Sequence, residues 1–223
     1  MLVEDAWVGH AEMRIRHRRI LRKDARLLRQ AMIRAVRKSP GSFLKTTKEI
    51  KRTDWNHEIR SSTWVVALRG REVVGIACAK RPDAEQDSED AETSRYIGSV
   101  WIAPDFRGNR MAERLIQYLL DTERRKNQSI KQFLLWVFDT NDSAIRLYER
   151  VGFRPTGEEN PVEFKPAKKG IAPKVEIKYC LDFDAEAHAA LHRAVNDAAR
   201  HADVRRHRVT YRVLGPRSPG YAG

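Results

Sequence analysis

Val100-Trp101-Ile102-Ala103-Pro104-Asp105-Phe106-Arg107-Gly108-Asn109-Arg110-Met111-Ala112 is the stretch on which the reading of this chain turns. A β-branched run ends at Pro104, a short turn follows, and Arg107-Gly108 opens a long amphipathic helix. Met111, Ala112, Leu115, Ile116, Leu119 and Leu120 recur at helical spacing along it. A strand–turn–helix junction aims several unpaired backbone N–H groups and the positive end of a helix dipole at one spot. This predicts a cradle for a pyrophosphate group.

Working outward, Tyr96–Ile102 reads as the strand feeding that turn, and the acidic run 83–94 as a loop before it. Thr63–Leu68 and Glu72–Ala79 are β-rich segments around Arg69-Gly70-Arg71, which predicts a hairpin. Asp24 is placed to cap a helix whose apolar face is Leu27, Leu28, Ala31, Met32, Ala35 and Val36, stopped by Ser39-Pro40-Gly41. A second helix is expected over roughly Thr46–Arg60, and Met13–Arg16 alternates like a short strand. Downstream, Phe133–Phe138 is an unbroken apolar run, as expected for a strand covered on both faces. Asp139-Thr140-Asn141 ends it and caps a helix bearing Ala144, Ile145, Tyr148 and Val151, with Gly152 as its C-terminal stop. Phe153–Thr156 and Val175–Asp182 are expected to be closing strands around a long loop, 157–174. The order β-α-α-β-β-β-α-β-α-β-β predicts a mixed α/β layer architecture. An Ala-rich helical stretch is read over 184–202, an alternating segment over Arg208–Leu214, and a mobile Pro/Gly tail thereafter.

The 223 residues can bury a sizeable core without disulfides or metals. Cys78 and Cys180 sit in apolar segments and read as buried reduced thiols, and no Cys/His spacing suggests a metal site. Met1–Ala11 lacks an apolar signal core and no apolar run reaches membrane-spanning length, so a soluble, cytoplasmic protein is the expectation. The formal charge of +13 is uneven. Met13–Lys38 carries eleven Arg or Lys against one acid, Asp24, whereas Arg81–Ser94 carries six acids against one Arg. The basic face leaves contact with nucleic acid or a ribosome open, but no aromatics are interleaved with it, so a solvated surface is preferred.

A second signature lies beyond the turn: Asn141-x-x-Ala144-x-x-Leu147-Tyr148-Glu149-x-x-Gly152-Phe153. With Arg107-Gly108-Asn109-Arg110-Met111-Ala112 and the order of elements, it resembles the GNAT family of acyl-CoA N-acyltransferases from about Met13 to Asp182. Arg107 and Ala112 match that family's Gln/Arg-x-x-Gly-x-Gly/Ala motif, while Arg110 replaces its central glycine. The resemblance implies a mixed, mostly antiparallel sheet flanked by helices, as one domain over 13–182, with a helical extension and basic tail over 183–223. It implies acetyl-CoA as cofactor. Val100, Trp101 and Ile102 would offer backbone groups to the pantetheine arm, and Arg107, Gly108, Asn109, Arg110, Met111 and Ala112 would hold the pyrophosphate. Arg110, read as lying on the first helical turn, would reach a phosphate with its side chain. Asn141, and secondarily Ser143, would bond the cofactor's arm.

A backbone N–H of the fourth strand would polarise the thioester carbonyl and stabilise its oxyanion. Tyr148 matches the tyrosine that protonates the departing thiolate, and the acceptor amine attacks directly. Tyr96 stands where many members have a carboxylate. A phenol with an ordinary pKa near ~10 is a poor base, so a water chain touching Tyr96 is expected, ahead of Glu92 in the loop. The implied function is N-acetylation of a primary amine, on a small molecule or a protein, with no membrane partner and homodimerisation left open. Two alternatives stand beside it: a non-catalytic acyl-CoA-binding module, and a ribosome- or nucleic-acid-associated protein.

Overall fold

A computed structural model describes residues 14–43, 45–162 and 174–183. Its elements are β1 (Ile15–Arg19), α1 (Ala25–Lys38), α2 (Thr47–Arg52), α3 (Trp55–Ser61), β2 (Ser62–Arg69), β3 (Glu72–Lys80) and β4 (Ser94–Ile102). They continue with α4 (Met111–Lys126), β5 (Gln132–Phe138), α5 (Asp142–Val151), β6 (Arg154–Val162) and β7 (Lys174–Asp182). The expected architecture is the one observed. The seven strands form one sheet in the order β1-β2-β3-β4-β5-β7-β6, antiparallel everywhere except β4–β5. That parallel step is where α4 makes the crossover a parallel pair requires.

Local chemistry explains most boundaries. Leu28, Ala31, Met32, Ala35 and Val36 form the buried stripe of α1. Asp24 does not cap α1 through its side chain: its carboxylate accepts from the Leu21 N–H (2.9 Å) and binds Arg18 (2.7 Å), securing the 3₁₀ turn in front of the helix. The expected second helix is two helices. Thr46 and Glu49 form a reciprocal capping box on α2, and the Asp54 carboxylate accepts from the Asn56 and His57 N–H groups to start α3 afresh. The first strand lies at Ile15–Arg19 rather than Met13–Arg16, and β6 runs to Val162, through the first part of the expected loop. The helix and alternating segment expected beyond residue 183 lie outside the described residues.

The core gathers under α4, where Leu115, Ile116, Leu119 and Leu120 are buried against β2 and β3. Gly75 lets that helix come close, since a Cβ there would stand 2.7 Å from Ile102 Cδ1 and 3.1 Å from Leu115 Cδ2. Beneath the far end of α4, Arg95 and Glu123 form a buried ion pair of 2.9 Å, with Lys126 on the second Glu123 oxygen and the Ala91 and Ser94 carbonyls on Arg95. Both Glu123 oxygens and the Nε and Nη1 of Arg95 have partners, and such pairing is the condition under which buried charge is tolerated. Among the described residues no helix is long and apolar enough to cross a membrane.

Candidate active site

β4 and β5 pair over only three positions, Ser94 with Gln132, Arg95 with Phe133 and Tyr96 with Leu134. Beyond Tyr96 they part, so β4 from Ile97 to Ile102 turns an edge toward β5 that β5 does not bond. The other edge is interrupted as well. Ile76 pairs with Trp101 and Cys78 with Gly98, so Ser99 and Val100 together oppose Ala77. Ser99 adopts φ +52° to make this bulge. The sequence carried no sign of it, because serine does not announce a left-handed position as glycine would.

A cleft of about 1120 Å³ opens in this splay. Val100, Trp101, Ile102, Arg107, Gly108, Arg110, Met111, Ala112, Asn141, Ser143, Tyr148 and Tyr96 all line it. Asn109 alone of the expected site residues does not; its carbonyl accepts instead from Arg114 (2.7 Å).

At one end of the cleft stands the turn before α4. The helix begins at Met111, not at Arg107, because Gly108 (φ +87°) and Arg110 (φ +52°) are left-handed and cannot continue an α-helix. Arg110 is thus the residue before the helix, not a member of its first turn, and its side chain is 81% exposed. The N–H groups of Gly108, Asn109 and Arg110 make no hydrogen bond within the described residues. Those of Met111, Ala112 and Glu113 begin the helix and have no intrahelical acceptor. Six successive N–H groups are thus left without a partner among the described residues, five of them on residues that line the cleft, in a curved backbone of the anion-binding type. Arg107, Arg110 and Arg150 surround them, and Glu113, the acid beside them, is held by Arg150 at 2.6 Å.

The Arg107 side chain is engaged within the protein. Its Nε donates to the Ile102 carbonyl (3.0 Å) and its Nη2 to Ser39 Oγ (2.9 Å), which also accepts from the Trp101 indole (3.2 Å). The guanidinium thus ties the turn to the end of β4 and the end of α1. Ser39 entered the sequence reading only as a helix stop.

Asn141 precedes α5, and its Oδ1 accepts from the Ala144 N–H (3.3 Å) and from Ser143 Oγ (3.1 Å). The capping uses the carbonyl side of the amide, and its NH2 has no partner among the described residues. Tyr148 is 9% exposed, with its ring edge-on to Phe153 at 5.9 Å. Its hydroxyl has no hydrogen-bond partner among the described residues. Burial, with a smaller contribution from the Cys78 thiol, raises its pKa well above the ordinary tyrosine value, so it keeps its proton.

The other end of the cleft is aromatic and carries charges of both signs, Lys45, Lys80 and Arg81 among them. Phe43, Trp55, Tyr96 and Trp136 line it with Asp83, Asp87, Glu58 and Glu176. Glu58 is neutralised by Lys80 at 2.9 Å and Lys45 at 3.8 Å. The Glu176 carboxyl is pushed above its usual range by burial, only partly offset by a hydrogen bond from Asn160. Tyr96 donates to Glu89 at 3.0 Å, and burial followed by the Glu89 and Asp87 charges raises its pKa. It cannot act as a base near neutrality. Glu92 is engaged by Arg81 (3.0 Å) on the surface and does not line the cleft. The loop carboxylate that contacts Tyr96 is Glu89, one of the six acids of that run.

These features define a fold class that comparison with known proteins identifies. The model of the Acetyltransferase (GNAT) family matches residues 29–153, more than half the chain, and the chain belongs to that family. Two curated relatives are similar over part of their length. A mycothiol acetyltransferase from Brachybacterium faecium is 32% identical over 106 residues, which are 48% of this chain and 30% of that protein. A probable N-acetyltransferase camello from Xenopus laevis is 35% identical over 91 residues, 41% of this chain and 37% of that protein. The matched stretch is thus about a third of the length of these curated relatives. Among solved structures, the yncA protein of Salmonella typhimurium, determined with its cofactor acetyl-CoA, superposes with a TM-score of 0.57 at 18% identity, covering 77% of this chain and 95% of that one. A ribosomal-protein-alanine N-acetyltransferase from Brucella melitensis gives 0.56 at 18% identity, covering 76% and 99%. These two establish the fold.

Proposed function

We propose that this protein is an acetyl-CoA-dependent N-acetyltransferase that acts on a primary amine by direct attack, with Tyr148 as general acid. One observation carries the reading: a single cleft joins a run of backbone N–H groups and a Tyr148 hydroxyl, none with a partner among the described residues, to an aromatic end that also bears carboxylates. The donor set fits a pyrophosphate, because it is cationic, pre-curved and free of unpaired acid. Acetyl-CoA supplies the acetyl thioester. The N–H groups of residues 108–113 hold its pyrophosphate, the unpaired edge of Val100–Ile102 takes its pantetheine arm as an added strand, and the Asn141 amide donates to that arm. A backbone N–H of the Ser99–Val100 bulge polarises the carbonyl. The amine nitrogen forms the new C–N bond and yields a proton to water, the C–S bond breaks, and Tyr148 delivers its proton to sulfur before regaining one from solvent. The same reading takes 13–182 as the catalytic domain and 183–223 as an extension.

Asp83 and Asp87, which the acidic loop brings to the cleft, support a cationic acceptor, on a small molecule or a protein. Calorimetric titration with acetyl-CoA, followed by a thiol-release assay over a panel of primary amines, tests the function. Binding with thiol release on at least one amine is expected. Binding without release on any amine would make the protein a non-catalytic acyl-CoA module, and no binding would leave the basic α1 face as the lead toward nucleic acid.

Arg110 provides a further check. A non-glycine residue in the left-handed region costs about 1–2 kcal/mol, and the conformation explains why glycine is usual there. Arg110→Gly relieves that strain but removes a cation beside the phosphate site. The variant should melt no lower than wild type, since glycine's added backbone freedom when unfolded offsets only ~0.5–1 kcal/mol of the gain. It should bind coenzyme A no more tightly, and much tighter calorimetric binding would show that Arg110 obstructs the site.

A further inference from the structure

Tyr96, Glu89, Lys178, Glu158 and Trp136 come from a loop and four different strands and meet at the acceptor end of the cleft. Lys178 is 4% exposed in its side chain. Its ammonium binds Glu89 Oε1, contacts both Glu158 oxygens at 3.0 and 3.1 Å, and lies 5.6 Å from the Trp136 ring centroid. The second Glu89 oxygen, Oε2, accepts the Tyr96 hydroxyl at 3.0 Å. We propose that Glu89 is a positioning residue: it accepts the hydrogen bond of the Tyr96 hydroxyl and so presents the phenol oxygen as a hydrogen-bond acceptor to the attacking amine. This rests on the transferase reading above.

The argument is one of donor counting. A phenol has one hydrogen and two lone pairs, and an ionised carboxylate can only accept. Lys178 keeps Glu89 ionised: burial would raise its carboxyl, but the hydrogen bonds from Lys178 and Tyr96 outweigh burial and lower it. The Tyr96 hydrogen is therefore committed to Glu89. That leaves a lone pair of the phenol oxygen for the cleft that Tyr96 lines. An amine can satisfy that lone pair with an N–H while aiming its own lone pair at the thioester carbonyl. Held in this way, it loses fewer orientations on the way to attack.

Glu89→Gln reverses the hydrogen. Lys178 would retain the amide oxygen, so the amide NH2 would face Tyr96 and its hydroxyl would point into the cleft as a donor. With the best amine of the panel, kcat/KM should fall about 10-fold or more, while acetyl-CoA affinity stays unchanged. Glu158→Gln, which loosens Lys178 without touching Tyr96, should stay within about threefold of wild type. The decisive comparison is the Tyr96→Phe background, where Glu89→Gln should change kcat/KM by less than about twofold, since the coupled group is gone. An undiminished loss in that background, or an equal loss from Glu158→Gln, would show that Glu89 merely holds the loop and would overturn the assignment. Should Glu89→Gln fail to fold, Glu89→Asp, which keeps the charge for Lys178 and withdraws it from Tyr96, carries the same comparison. A wild type that binds acetyl-CoA but acetylates no amine overturns the transferase reading itself, and this assignment with it.

Discussion

Tyr148→Phe is expected to lower kcat by ~10²–10⁴-fold, toward the smaller value because water can partly replace a proton donor to a thiolate. The Michaelis constant for acetyl-CoA should move little, which is the pattern of an interaction made in the chemical step rather than in binding. The fold makes this a clean experiment. The Tyr148 hydroxyl has no partner among the described residues, so its removal orphans no buried donor or acceptor, and the ring keeps its edge-on contact with Phe153. The melting temperature should therefore be unchanged. Full turnover would demote Tyr148 to a packing residue, and lost acetyl-CoA affinity without slower chemistry would make it a binding group.

Gly108→Asp should weaken coenzyme A binding most. Gly108 stands at φ +87° with nothing within 4 Å of the position a Cβ would take, so a side chain meets no steric obstacle. Two effects then combine: a left-handed strain of about 1–2 kcal/mol, and a carboxylate set against the phosphate among donors meant for it. Gly108→Ala separates them, because it carries the strain without the charge. Both variants should lose similar thermal stability, but only Gly108→Asp should lose most of its affinity by calorimetry. Equal affinities for the two would mean that the turn does not hold the pyrophosphate.

Much of the local structure was legible in the chain. The helices declared themselves by buried stripes such as Leu115, Ile116, Leu119 and Leu120, and the hairpin by Arg69-Gly70-Arg71. Gly152 ends α5 in the left-handed region, at φ +113°, as its position suggested. The errors are also local in origin. Continuous polarity across Thr53-Asp54 concealed a second capping event, and a Lys- and Pro-rich composition concealed the length of β6. The start of α4 was misplaced because the motif's arginine was read as helical, whereas two left-handed residues delay the first turn to Met111.

The site divides in the same way. Gly108, Asn141 and Tyr148 could be picked out because the family resemblance ties each to a place in one of two short motifs, and such motifs are read from neighbours in sequence. Sequence by itself thus determined most of the elements, their order and the phosphate-type turn, and through the family resemblance the candidate acid. Only the tertiary structure decided that β7 enters between β5 and β6, and that β4 leaves β5 after Tyr96. It alone brought Ser39 to Arg107 across 68 residues and Lys178 to Glu89 across 89. Such pairings depend on strand order and register, which arise when the whole sheet packs around one core. No periodicity within a dozen residues encodes which of six loop acids will meet a buried lysine.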